Sequence, residues 1–149
     1  MLEIDLIDKI SNYFIEQCKL QNHPWQYNYM FDICSNGISY FNPKVQEYLE
    51  KYKYHLSFNI SIDGNKQLHD SCRIFPDGSG SYDIAMAAVK DWTINKQRYM
   101  GSKMTLAPQN IIYTKDAVIG LINSGYNEIN LNCIFEKGWT LEYASILYH

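Results

Sequence analysis

Four stretches with β-strand character are separated, each time, by stretches with the spacing of amphipathic helices. That alternation constrains the fold of this 149-residue chain more than any other feature. EIDLIDKISNYFIEQCKL puts Ile4, Ile7, Ile10, Phe14 and Cys18 at helical spacing with charges between them. YNYMFDICSNG has a β-prone centre and stops at Asn36-Gly37, a turn signal, so it reads as a first strand. Asn42 before Pro43 then offers a cap and a first helical position, and Val45, Leu49 and Tyr52 share one stripe. HLSFNISIDG is a second strand closed by Asp63-Gly64. After a long polar connection, GSYDIAMAAVKDW carries the Ile84, Ala88, Trp92 spacing of a helix. SKMTLAPQNIIY reads as a third strand broken at Pro108, and TKDAVIGLINSGY as a helix with Thr114 as N-cap and Gly125 as its stop. NEINLNCIFEKGW is a fourth strand, and TLEYASILYH begins a helix behind Thr140. Strands that alternate with helices pair in parallel through right-handed βαβ crossovers, which places the chain in the α/β class, as a doubly wound sheet or a barrel.

The chemistry of the strand faces decides between those two. A strand covered by helices on both sides reads as a continuous apolar run, and the second strand does not. His55, Ser57, Asn59, Ser61 and Asp63 alternate with Leu56, Phe58, Ile60 and Ile62. In a barrel the apolar set packs outward on helices while the polar set lines a lumen that holds something polar. The fourth strand agrees: Asn130, Asn132 and Glu136 alternate with Ile129, Leu131, Cys133 and Phe135. The competing reading is that these polar groups satisfy one another or face solvent at a sheet edge. Ser61 and Asp63 weigh against it, because they stand at the carboxyl end of their strand, where parallel α/β folds bind ligands.

The length fits one domain, and a hydrophobic content of 46% is enough to bury a core. No repeat, low-complexity tract or interdomain linker interrupts it, and PDGSGS is too short to separate domains. A net charge of −3 with scattered lysines leaves no basic footprint for nucleic acid or a membrane surface. No apolar run reaches the roughly 18 residues of a membrane span, and MLEIDLIDK lacks the order of a secretion signal, which gives a cytoplasmic reading. Cys18, Cys34, Cys72 and Cys133 stand too far apart to form a local metal motif.

Reactive side chains concentrate just after the second strand, at His69, Asp70, Cys72 and Arg73. A Cys72–His69 nucleophile pair and a metal site both compete for this cluster, and both lack the spacing that would support them. Arg73 is the stronger candidate, since a guanidinium can hold a carboxylate by two parallel hydrogen bonds; its alternative is a surface ion pair. His69 fits a capping or orienting role, and Cys72 a small packing residue. GSGSYD could cradle phosphate at a helix start, but it lacks the GxGxxG or GxxxxGK spacing, so a loop with a helix cap fits better.

Taken together and in order, SNG after the first strand, SIDGNKQLHDSCR, DGSGSYDIAMAAVK, SKMTLAPQNI and GYNEINLNCIFEKGW resemble the radical SAM superfamily. The resemblance is greatest to its peptide-modifying and sulfatase-maturing branch, whose members often carry a SPASM domain, and it covers nearly the whole chain. It implies a portion of a partial (β/α)6 TIM-like barrel, with residues 1–149 forming family strands three to six, truncated at both ends. It also implies S-adenosylmethionine and a 4Fe–4S cluster as cofactors, a peptide or protein as substrate, and hydrogen abstraction by a 5'-deoxyadenosyl radical as the reaction. By the same resemblance, Ser61 and Asp63 lie at the S-adenosylmethionine site and Arg73 grips its methionine carboxylate. Asn36 matches the strand-end NG, and Asn130 and Asn132 match the sixth family strand.

The chain departs from the family at the cluster. The CxxxCxxC that normally precedes this region is absent, as is the GGE motif that contacts the methionine amino group, and the four dispersed cysteines cannot replace the missing ligands. The expectation is therefore a part of a radical SAM enzyme that is inactive alone. The alternatives are a catalytically dead remnant or binding module without enzymatic activity and, further off, an unrelated α/β hydrolase using Cys72 and His69.

Overall fold

The computed structural model describes residues 3–135 and 138–148. Four strands, β1 (Phe31–Ser35), β2 (Leu56–Ile60), β3 (Gly101–Leu106) and β4 (Glu128–Cys133), form one sheet in the order β1-β2-β3-β4. Every pairing is parallel. Helices α1 (Ile4–Leu20), α2 (Pro43–Lys51), α3 (Lys66–Cys72), α4 (Tyr82–Lys90), α5 (Thr114–Asn123) and α6 (Leu141–Tyr148) occupy the stretches before, between and after them. Sequential neighbours paired in parallel with helical crossovers are the arrangement the alternation demanded.

The core lies between one face of the sheet and the helices. Phe58, Ile60 and Ile62 from β2 and the residues after it, Met104 and Leu106 from β3, Ala85, Ala88, Val89 and Trp92 from α4 and its extension, and Ala117 and Leu121 from α5 are all buried there. The outward half of the second strand thus packs as the alternation indicated. The other sheet face is polar and carries Asp32, Ser57, Asn59, Lys103, Glu128, Asn130 and Asn132.

Four local readings change. The connection after β2 contains a short helix, α3, which the sequence pattern did not reveal; Asn65 caps it by accepting from the Leu68 N–H at 3.0 Å. On α1 the buried stripe runs through Ile4, Ser11 and Cys18, and Ile10 is 59% exposed. Ser11 replaces Ile10 on the packed face because its hydroxyl bonds Tyr48 Oη on α2 at 3.0 Å. Ile84 likewise turns outward on α4, leaving Ala85, Ala88 and Trp92 to meet the sheet. Thr114 is the first residue of α5 rather than its cap, with a buried hydroxyl that has no hydrogen-bond partner among the described residues, because Pro108–Tyr113 forms a 3-10 helix that runs directly into α5. That 3-10 helix also ends the third strand at Leu106. The fourth strand ends at Cys133, and Glu136, assigned above to its polar face, lies outside the described residues.

Candidate functional site

The polar face has two levels. At the lower one Asp32 accepts from Ser57 Oγ at 3.1 Å and from Asn59 Nδ2 at 3.0 Å, and Asn59 Oδ1 accepts from the Gly101 N–H at 2.9 Å. Gly101 is small for a reason: a Cβ there would lie 2.8 Å from that same Asn59 oxygen. This level is a satisfied polar layer across three strands, so His55, Ser57 and Asn59 contribute lining and order. His55 itself sits at the strand entrance, stacked on Tyr29 with ring centroids 4.2 Å apart.

The upper level, at the carboxyl ends of the strands, holds the candidate ligand contacts. Ser35 Oγ accepts from the Gly37 N–H and Asn36 Oδ1 from the Ile38 N–H, at 3.1 and 3.2 Å, so the SNG stretch turns the chain sharply off β1. Gly37 adopts φ of +79° there, and an added Cβ would press on Ala85 and Ile60 at 3.1 and 3.2 Å. The Ser61 N–H donates to the Ser35 carbonyl at 2.9 Å and Ser61 Oγ lies 3.4 Å from Cys34 Sγ, which ties the ends of β1 and β2 together.

Asp63 is the centre of this level. It is 6% exposed, and each of its carboxylate oxygens is engaged: Oδ1 accepts from the Thr105 N–H at 2.9 Å and Oδ2 from Arg73 Nε at 2.5 Å. A buried carboxylate requires such partners, and a charge-assisted bond to guanidinium is among the strongest available. The ion pair uses only Nε. The terminal nitrogens of Arg73 make no hydrogen bond among the described residues, and its side chain is one-third exposed. Arg73 is thus a guanidinium held from one edge with its fork uncommitted, the form in which it can receive a carboxylate.

His69 supports this pair from behind. It is 1% exposed, its Nδ1 accepts from the Asp63 N–H at 3.2 Å, and its Nε2 lies 3.1 Å from Ser81 Oγ. Burial pushes its pKa below the usual histidine value, and the Arg73 charge adds to the effect. Cys72 is exposed and bonds Ser71 Oγ at 3.4 Å, with no hydrogen bond to His69. The two residues therefore do not form a nucleophile and base.

The GSGS stretch also resolves. It closes a turn through an Ile74–Gly80 bridge, and the Tyr82 N–H at the start of α4 donates to Asp70 Oδ1 at 2.9 Å. Burial acts to raise the Asp70 pKa, but that N–H and Lys66 together hold it below the usual carboxylate value. A carboxylate therefore already occupies the helix start that a phosphate would need.

Asn130 and Asn132 stand on the same face of β4, in register with Lys103 and Thr105. Asn130 Nδ2 donates to Glu128 Oε1 at 3.0 Å, whereas the exposed Asn132 makes no hydrogen bond among the described residues. The structure thus bonds Asp63 to Arg73, ties Ser61 instead to Ser35 and Cys34 at the end of β1, where Asn36 also stands, and places Asn132 across from Thr105 of β3. The Thr105 amide and Ser81 also bond to this pair. A backbone donor leaves no mark in a sequence, and Ser81 reads there only as part of a helix start. Among the described residues no three His, Cys, Asp or Glu stand together as metal ligands, and the four cysteines are free and separate.

No protein-family model and no curated protein matches the chain. Solved structures do. Native anSMEcpe with bound AdoMet and Kp18Cys peptide aligns with a TM-score of 0.68 at 10% identity, and the Cp18Cys peptide complex with 0.67 at 11%; each covers 91% of this chain and 40% of that one. Native anSMEcpe with bound AdoMet gives 0.64 at 12%, covering 89% of this chain and 37% of the other. The chain shares the fold of these structures, a partial TIM-like barrel. Its four parallel strands and intervening helices match part of that partial TIM-like barrel, and it spans about two-fifths of the length of these structures. Among the described residues no helix is long and apolar enough to cross a membrane.

Proposed function

We propose that this chain is the part of a radical SAM enzyme that holds S-adenosylmethionine at the carboxyl ends of β1 and β2, with a peptide or protein substrate over the polar sheet face. The observation that carries the reading is Arg73, anchored through Nε to Asp63 with its fork uncommitted. In this reading the fork takes the methionine carboxylate, Ser61 and Asn36 flank the cofactor at the strand ends, and Asn130 and Asn132 face it from β4. Both oxygens of Asp63 are already engaged, so Asp63 serves the cofactor through Arg73. The anSMEcpe structures with bound AdoMet and peptides support the choice of ligands. Such a cofactor supplies hydrogen abstraction when a reducing cluster is present. The described residues do not fit that cluster, and its ligands would have to come from outside them.

Calorimetry of S-adenosylmethionine on the full chain tests the reading. We expect binding that Arg73→Ala weakens about 10- to 100-fold, the worth of a hydrogen bond to a charged group, with Arg73→Lys in between. An unaffected Arg73→Ala variant removes the carboxylate clamp, and absence of binding by the wild type removes the ligand. The lack of a ligand set for a cluster favours, as a second reading, a binding module without enzymatic activity. Anaerobic reconstitution with iron and sulfide tests the second reading: a 4Fe–4S spectrum overturns the module, whereas S-adenosylmethionine binding without cluster absorbance is expected of both readings.

A further inference from the structure

We propose that His69 is the positioning residue of this site, setting Asp63 and Arg73 relative to one another through one directed path of hydrogen bonds. The proposal rests on the reading above only for the identity of the ligand.

The direction of the path follows from its donors. The Asp63 N–H can only donate, so His69 Nδ1, 3.2 Å away, must be the acceptor and carries no proton. The neutral imidazole then bears its proton on Nε2 and donates it to Ser81 Oγ at 3.1 Å. The Ser81 hydroxyl in turn donates to the Arg73 carbonyl at 2.8 Å. Each group donates once and accepts once, from the backbone of residue 63 to the backbone of residue 73. The Asp63 carboxylate and Arg73 Nε close the circuit from the side-chain end. Arg73 is therefore fixed at its backbone by His69 and Ser81 and at its tip by Asp63. Only the outer edge of the guanidinium remains for a ligand.

The circuit depends on His69 staying neutral. A proton on Nδ1 would set one N–H against another, that of Asp63, and open the path. Asp63 and Arg73 face the ring from either end of the circuit, Asp70 and Lys66 from its own helix, and the Tyr82 ring from α4 at 5.7 Å. Asp63 and Asp70 favour the proton, while burial, the largest influence, acts with Arg73 and Lys66 against it and lowers the pKa. A residue that merely filled space would need neither this tautomer nor a hydroxyl at position 81.

The test uses the full chain and two readouts. Long-range nitrogen–proton spectra of the imidazoles should show His69 as the Nε2–H tautomer at pH 7. The Arg73 Nε–H should exchange slowly, and at least 10-fold faster in Ser81→Ala, with Ser81→Thr restoring protection because it keeps the hydroxyl. Protection should also fall in acid as His69 titrates. An Nδ1–H tautomer, or equal exchange in wild type and Ser81→Ala, overturns the proposal. If Ser81→Ala unfolds the chain, the wild-type tautomer and the acid dependence of Arg73 exchange decide it alone. By calorimetry Ser81→Ala should weaken S-adenosylmethionine binding about 3- to 10-fold, less than Arg73→Ala, and equal affinities overturn the link to the ligand. A wild type that shows the tautomer and the protection but binds no S-adenosylmethionine keeps the circuit and discards the ligand.

Discussion

Gly64, the second residue of the Asp63-Gly64 turn, holds φ at +80°, where L side chains are strained, and a Cβ added there would collide with Ala117 on α5. Gly64→Ala should therefore cost about 2–4 kcal/mol by urea unfolding, combining backbone strain with overpacking. His69 gives a second expectation at this scale. Its folded pKa is lowered by burial, so the unfolded chain binds the proton more readily. Its contribution is fully present above the unfolded value near 6.5 and is lost as pH falls toward the folded one, with a slope of at most about 1.4 kcal/mol per pH unit. Unfolding at pH 5, 6 and 7 should show this decline, and His69→Gln should flatten it. Single residues were legible in the sequence where chemistry is rare and position is marked: Asp63 stands at a strand end and turn signal and Arg73 in the cluster after it, and the structure pairs these two, while Ser61 bonds back to β1. The partners that hold them were not. Thr105 contributes only its amide, and Ser81 lies far from Asp63 in sequence, meeting it through His69 only once the chain has folded.

At the scale of elements, long periodic helices and two-faced strands were readable because they repeat their signal over several turns or alternations. Helix α3 was not. Its seven residues offer less than two full turns, and buried Leu68 and His69 are adjacent in sequence rather than three or four apart, so no stripe emerges. The helix depends on its surroundings instead: the Asn65 cap, a Lys66–Asp70 ion pair along one side, and Asp70 reaching to α4. Asn65→Ala should therefore cost about 1 kcal/mol, the ordinary worth of a cap. Hydrogen exchange should show faster opening of the Leu68 to Cys72 amides and little change in β3. Pro108 illustrates the opposite case. Proline was rightly read as breaking the strand, but the apolar NIIY after it belongs to the 3-10 helix, because short apolar runs do not distinguish strand from helix without tertiary contacts.

For the whole molecule, the sheet is unevenly supported, and that sets where its stability resides. The outward residues of β2 are sealed: Phe58 is 2% exposed and Ile60 0%. The carbonyl of Ile60 also accepts from the buried Tyr126 hydroxyl at 3.0 Å, which fixes the end of β2 from across the sheet. Burial raises the Tyr126 pKa far above the ordinary tyrosine value, so this donor keeps its proton at any physiological pH. On β4 the corresponding outward residue Leu131 is 43% exposed, and Phe135 beyond it is 86% exposed. Two leucine-sized side chains on one sheet therefore differ in what they hold. Ile60→Ala opens a cavity in a closed core and should lower stability by about 2–5 kcal/mol, whereas Leu131→Ala should cost about 0.5 kcal/mol. Because the Asp63–Arg73 pair stands at the end of the sealed strand β2, local openings should release β4 and α6 first and leave that pair intact. Native-state hydrogen exchange checks this directly: β2 amides should open with the global unfolding energy and β4 amides below it. Equal protection in both strands, or equal costs for the two alanine variants, would show that the sheet is held uniformly.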